Sequence, residues 1–226
     1  MLAYGKNVLL STSKDKIKRV YLNKGRKDES VLKYLKDNKI NYVVVDNDRL
    51  NNMVKGNHQG IVLEVDEYKY KKLEDLYQYD FLVMLDHIED PHNLGAIIRT
   101  CEAGGVKGII IPKDRSASVN ETVIKTSVGT TENVTIVKVT NLNETIKKLK
   151  KEDYFIYGTS MNGNDLRQVN PADRKVLIIG NEGKGMSNLT MKNCDEIIKI
   201  PMKGEVNSLN ASVALGIVLF KLGGLS

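Results

Sequence analysis

The sequence predicts an α/β protein in two parts: a small α/β unit over residues 1–65, and a larger unit over 81–226 built on a mostly parallel sheet with helices on both faces. Three observations carry this. From residue 81 onward, short β-branched runs alternate with helical segments, the pattern of parallel strands joined by helical crossovers. Between the parts, DEYKYKKLEDLYQYD (66–80) is charged, tyrosine-rich and weakly periodic, as a linker with one helical turn would be. Finally, IIKIPMKGEVNSLNASVALGIVLFKL (197–222) holds a strand, a polar turn and a helix in one stretch.

In the first part, 18–22 reads as a strand, 30–38 as an amphipathic helix with Val31, Leu32 and Leu35 on one side, 42–45 as a buried strand and 61–65 as another. Between the last two, KGNHQGIV sets Gly56 and Gly60 around Asn57, His58 and Gln59. A turn entering a strand is preferred here to a presented ligand loop. In the second part strands are expected at 81–85, 108–111, 134–139, 154–158, 176–180 and 197–200, with helices at 94–103, 121–127 and 142–150. A last, buried helix is marked by Leu209, Val213, Leu215, Ile217, Val218 and Leu219.

At 226 residues, with 41% hydrophobic and 27% charged side chains, the chain has an ordinary globular composition. Its longest apolar run falls far short of the ~20 residues of a membrane span. The first ten residues lack the basic start and apolar run of a signal peptide, so the expected location is the cytoplasm, with no membrane partner. Cys101 and Cys194 offer no metal spacing and no disulfide framework, and are read as reduced core-type thiols; no metal is expected. The net charge is +6, and residues 6–39 hold eleven Lys/Arg against four Asp/Glu, which leaves −1 for the remainder. That basic excess fits a polyanion, nucleic acid first, and equally a solvated lysine-rich surface. With 6% aromatic residues and no Trp, a base-stacking platform is not indicated.

Ligands of parallel sheets bind beyond the carboxyl ends of the strands, and three unusual loops fall at such ends. In DPHNLGAIIRTCEAGG (90–105), Asn93 precedes a helix, Gly95 permits close approach, and Arg99 stands over small residues, free to reach an anion or to pair with Glu102. In LIIGNEGKGMS (177–187), Gly180 and Gly185 have P-loop spacing, but Met186 stands where the lysine must be, and the dinucleotide pattern G-x-G-x-x-G is absent. What remains is a loop of exposed backbone groups around Glu182, suited to an uncharged heterocycle. In the third loop Asn207, Ser208 and Asn210 exceed what one helix cap needs, and Ile200 and Met202 offer apolar walls.

In order and spacing, NLGAIIRTCEAGG, LIIGNEGKGMS and IPMKGEVNSLNASVALGIVLF resemble the three motifs of the SpoU/TrmH branch of the SPOUT methyltransferases, RNA ribose 2′-O-methyltransferases that use S-adenosylmethionine. KGNHQGIV with the following linker is similar, more loosely, to the N-terminal substrate-binding domain of the subgroup that methylates a guanosine of large-subunit (23S) ribosomal RNA. The resemblance implies a C-terminal SPOUT domain whose parallel sheet is threaded into a deep trefoil knot. It implies S-adenosylmethionine held by main-chain groups at Gly180, Ile200 and Leu209, and active-site roles for Asn93, Arg99, Glu182, Ser208 and Asn210. It also implies RNA, as 23S rRNA or a ribosomal precursor, as partner, and a homodimer in which one subunit's cofactor faces the other's Arg99. A guanidinium, with a pKa above ~12, is a poor base, so Arg99 is expected to clamp an RNA phosphate and stabilise the developing alkoxide. The alternatives are a transfer-RNA or antibiotic-resistance rRNA methyltransferase, and a non-catalytic RNA-binding assembly protein.

Overall fold

A computed structural model describes residues 1–25, 28–205 and 208–224; Asn207 lies outside them. The chain forms two compact units, Met1–Lys69 with Val119–Glu132, and Tyr70–Ser118 with Asn133–Ser226. In chain order the elements are β1 (Leu2–Tyr4), α1 (Lys6–Ser11), β2 (Ile17–Asn23), α2 (Glu29–Asp37), β3 (Tyr42–Val45), α3 (Asn47–Met53), β4 (Ile61–Val65), β5 (Phe81–Asp86), α4 (Pro91–Ala103) and β6 (Gly108–Pro112). They continue with α5 (Glu121–Thr126), β7 (Thr135–Val139), α6 (Leu142–Lys151), β8 (Phe155–Asp165), β9 (Lys175–Gly180), α7 (Asn188–Asn193), β10 (Glu196–Lys199) and α8 (Ala211–Leu222).

The first unit is a four-stranded sheet in the order β1-β4-β2-β3, with β2 and β3 parallel and the other pairs antiparallel. Asp28 caps α2 by accepting from the Val31 amide at 3.2 Å, and Val31 and Leu35 are the face it buries. β3, expected to be buried, is an edge strand. Val44 is 53% and Val43 38% exposed, and only Val45 reaches the core, because no strand pairs with its outer side among the described residues. KGNHQGIV is a turn, as its glycines indicate. His58 is buried within it, its Nδ1 accepting from the Gly60 amide at 3.0 Å and its Nε2 3.0 Å from Asn51 Oδ1. The helix expected at 121–127 belongs to this unit rather than to the faces of the parallel sheet. Val123 and Ile124 are buried, the Lys125 ammonium lies 4.1 Å from the centre of the Tyr4 ring and donates to the Asn57 carbonyl, and Glu132 pairs with Lys16.

The second unit is a six-stranded, all-parallel sheet in the order β10-β8-β9-β5-β6-β7. Its central strands are apolar without alternation, as burial on both faces requires: Leu82, Val83, Met84, Leu85, Val176, Leu177 and Ile178 are all fully buried. The segment before it is packed rather than free. Leu73 and Leu76 sit in a short 3₁₀ turn and join this core. β8 runs past its expected end. Its pairing with β10 jumps from Ile197–Gly158 to Ile198–Asn164, so 159–163 arch out of the sheet. Gly163 allows this crossing, since a Cβ there would lie 2.6 Å from the Ile197 and Ile198 backbone. α4 packs on α8 so tightly at its end that a Cβ on Gly104 would lie 2.2 Å from Leu219 Cδ2. α8 is apolar on two sides. Leu215, Val218 and Leu219 are buried, but Val213 and Ile217, expected inside, form an exposed stripe with Phe220, at 50%, 42% and 41% respectively. Among the described residues no helix is long and apolar enough to cross a membrane.

Candidate active site

Beyond the carboxyl ends of β8, β9 and β10 lies a cleft of about 360 Å³. Gly180, Ile200 and Leu209 all line it, and Ser208 stands on its wall. Its apolar surface comes from Ile179, Met186 and Met202 as well, and its polar surface chiefly from loop 181–185 and Thr159 and Ser160 of the arch. The loop is closed on itself. The Asn181 amide donates to the Gly185 carbonyl at 3.1 Å and the Gly185 amide to the Asn181 carbonyl at 2.7 Å, while Asn181 Oδ1 accepts from the Gly183 amide at 3.0 Å. Gly185 needs its φ of +66°, and Gly180 has no room for a side chain, because a Cβ would lie 2.3 Å from the Met186 nitrogen.

Three of the expected residues converge, one from each motif. Glu182 Oε1 accepts from Asn93 Nδ2, from Asn210 Nδ2 at 2.7 Å and from the Ala211 amide at 3.4 Å. Asn210 Nδ2 also donates to Asn93 Oδ1 at 2.9 Å, and its own Oδ1 caps α8 through the Ser212 amide at 3.0 Å. One asparagine thus both starts the helix and holds the other two loops, which explains part of the polar surplus at this turn. Asp90 and Pro91 begin α4 and set Asn93 in its first turn, Asp90 accepting from the His92 amide at 2.9 Å.

Arg99 is not drawn into this cluster. It lies on the exposed side of α4 with no hydrogen bond or ion pair among the described residues. The intrahelical pair with Glu102 does not form, since Glu102 faces Lys107 at 3.6 Å and Asn133 at 3.3 Å. Sequence reasoning missed Asp86, a carboxylate only 1% exposed at the end of β5, and the residues of the arch. An acid closing the run FLVMLD was a signal for the first; the arch left none. Among the described residues no group of His, Cys, Asp or Glu could hold a metal. Burial pushes the Cys101 thiol up and the Cys194 thiol up to about 12, which disfavours the reactive thiolate at both.

The fold and the cleft define an α/β domain with a small-ligand cleft at the carboxyl edge of its sheet, walled by apolar side chains and the glycine-rich loop, with Lys184 and Lys199 also in its lining. A family model for the SpoU rRNA methylase family matches residues 80–220, and one for RNA 2′-O ribose methyltransferase substrate binding matches 2–71. A Bacillus subtilis (strain 168) protein, YacO, named for the TrmH family of tRNA/rRNA methyltransferases, is 38% identical over 231 residues, covering 96% of this chain and 93% of its own. The crystal structure of the SpoU methyltransferase AviRb from Streptomyces viridochromogenes with AdoMet has a TM-score of 0.85 at 22% identity, covering 100% of this chain and 90% of that one. The AdoMet-bound rRNA methyltransferase of Sinorhizobium meliloti scores 0.82 at 25% identity, covering 98% and 85%.

The chain belongs to the SpoU rRNA methylase family. It is an RNA methyltransferase with an N-terminal substrate-binding domain.

Proposed function

We propose that the enzyme methylates a ribose 2′-hydroxyl, that of a guanosine in 23S ribosomal RNA, and that it does so as a homodimer. The observation that carries the reading is the junction of Asn93, Glu182 and Asn210 beside a cleft lined by Gly180, Ile200 and Leu209. The cleft suits S-adenosylmethionine: a Cβ-free Gly180 lets the 185–186 backbone close in, and the walls match an adenine with no phosphate to neutralise. The bound donor supplies an electrophilic methyl group. The same reading threads the C-terminal segment through a trefoil knot, in keeping with β9 lying between β5 and β8 and β10 beyond them.

The rest is positioning. In a displacement at carbon, holding the hydroxyl in line removes a large part of the barrier. Glu182, held by three donors, fixes the glycine loop against α4 and α8, and Asn93, Ser208 and Asn210 orient the ribose. Arg99 clamps an RNA phosphate and stabilises the forming alkoxide, the proton leaving to that phosphate or to water. Its lack of any partner among the described residues, together with the exposed stripe Val213, Ile217 and Phe220, supports a second copy packed on α8, with Arg99 acting at the partner's cleft. Arg99→Lys is expected to slow single-turnover methyl transfer at every pH with RNA binding retained; an unchanged rate removes Arg99 from the chemistry. The target itself is tested with radiolabelled cofactor and total RNA from cells lacking the protein. Label at one 23S guanosine is expected, and label confined to tRNA favours the other substrate that the relatives' names carry.

A further inference from the structure

Asp86 is a buried carboxylate, 1% exposed at the end of the central strand β5, and none of the proposed chemistry uses it. Its Oδ2 accepts from the Ser187 amide at 2.9 Å, and its Oδ1 meets His87 Nδ1. The next residue is bonded in turn: the His87 carbonyl accepts from Asn181 Nδ2 at 3.0 Å. Residues 86 and 87 therefore grip both ends of loop 181–187, whose middle supplies Glu182, Gly183 and Lys184 to the cleft. To do so, His87 adopts a φ of +61°, left-handed backbone that a β-carbon disfavours. A buried acid bonded to a backbone amide, next to a strained residue, is costly unless the arrangement it holds matters.

We infer that Asp86 is a positioning residue for the methyl donor: through the Ser187 amide and, by way of residue 87, Asn181, it sets the glycine-rich loop in its donor-binding shape. This rests on the proposed use of the cleft. Titrating S-adenosylmethionine into the wild-type protein by calorimetry tests that use first, and absence of binding there sinks the cleft reading before Asp86 is questioned. With wild-type binding in hand, Asp86→Asn and Asn181→Ala are each expected to weaken donor affinity by about tenfold. The KM for RNA should stay within about twofold, and loop 181–187 should exchange its amide hydrogens faster while those of β5 do not. Because both residues act on one loop, the double variant should lose less than the product of the single losses. If Asp86→Asn fails to fold, Asn181→Ala alone decides by the same split between donor and RNA. Donor affinity unchanged in either folded variant, equal losses for donor and RNA, or fully multiplicative losses in the double variant would overturn the inference.

Discussion

Glu182 shows how much one atom can be asked to do: its Oε1 is the acceptor at which the loops after β5 and β10 meet the loop after β9. A bond to a charged acceptor contributes ~1.5–3 kcal/mol. Glu182→Gln, which removes the charge and keeps the shape, is expected to cost about 2 kcal/mol in the transition state, roughly a 30-fold fall in kcat at saturating donor. A rate within threefold of wild type would make the carboxylate a mere tie for its loop. Gly180→Ala is expected to cost about 1–3 kcal/mol of stability and to weaken donor binding, because its Cβ would press on the Met186 nitrogen; melting temperature and calorimetry read the two effects separately. Asn93, Glu182 and Asn210 were legible as candidates because their motifs keep order and spacing. Their mutual bonds were not, since 117 residues separate the first and last, and no local pattern encodes that meeting. Arg99 illustrates the reverse: its neighbour Glu102 suggested a pair that Lys107 and Asn133 pre-empt from outside the helix.

Among the elements, those whose residues are buried on a regular period were visible, and those made by context were not. β2, α2, β4 and, apart from the long far end of β8, the strands of the parallel sheet fall within a few residues of where periodicity puts them. β1, α1 and α3 are short, and α3 carries a single fully buried side chain, Leu50, too little for a periodic signal. β3 and α8 show the limit of hydropathy: an apolar run marks a surface that avoids water, not what covers it. For α8 the proposed cover is a second copy. Ile217→Lys, at the centre of the exposed stripe, is expected to shift the protein to monomer by analytical ultracentrifugation and to abolish methyl transfer while the fold persists. A monomer that keeps full activity would refute the shared site.

At the scale of the whole molecule, the basic excess of residues 6–39 is partly neutralised inside its own unit, where Lys6 pairs with Asp28, Lys16 with Glu132 and Lys18 with Asp66. Lys33, Lys36 and Lys39 remain exposed and without ion pairs among the described residues. Replacing these three with Gln should flatten the dependence of log RNA affinity on log salt by about 0.7–0.9 for each phosphate no longer engaged; an unchanged slope would place the RNA elsewhere. Two thiols, Cys101 buried and Cys194 half-buried, set a pH limit on stability. Folding holds them neutral, so their contribution is intact below the ordinary thiol pKa of ~8.5 and drains away as the pH climbs towards the raised folded values, about 12 for Cys194. The urea midpoint should therefore fall from pH 8 to 10, and fall less in a Cys101→Ala, Cys194→Ala variant. The membership of Val119–Glu132 in the first unit reaches into biosynthesis. A ribosome releases Met1–Lys69 early, yet the helix whose Lys125 covers Tyr4 leaves the exit tunnel only after two strands of the second unit. The cover that Lys125 gives Tyr4 must therefore wait for a piece of chain made some fifty residues after Met1–Lys69 is complete.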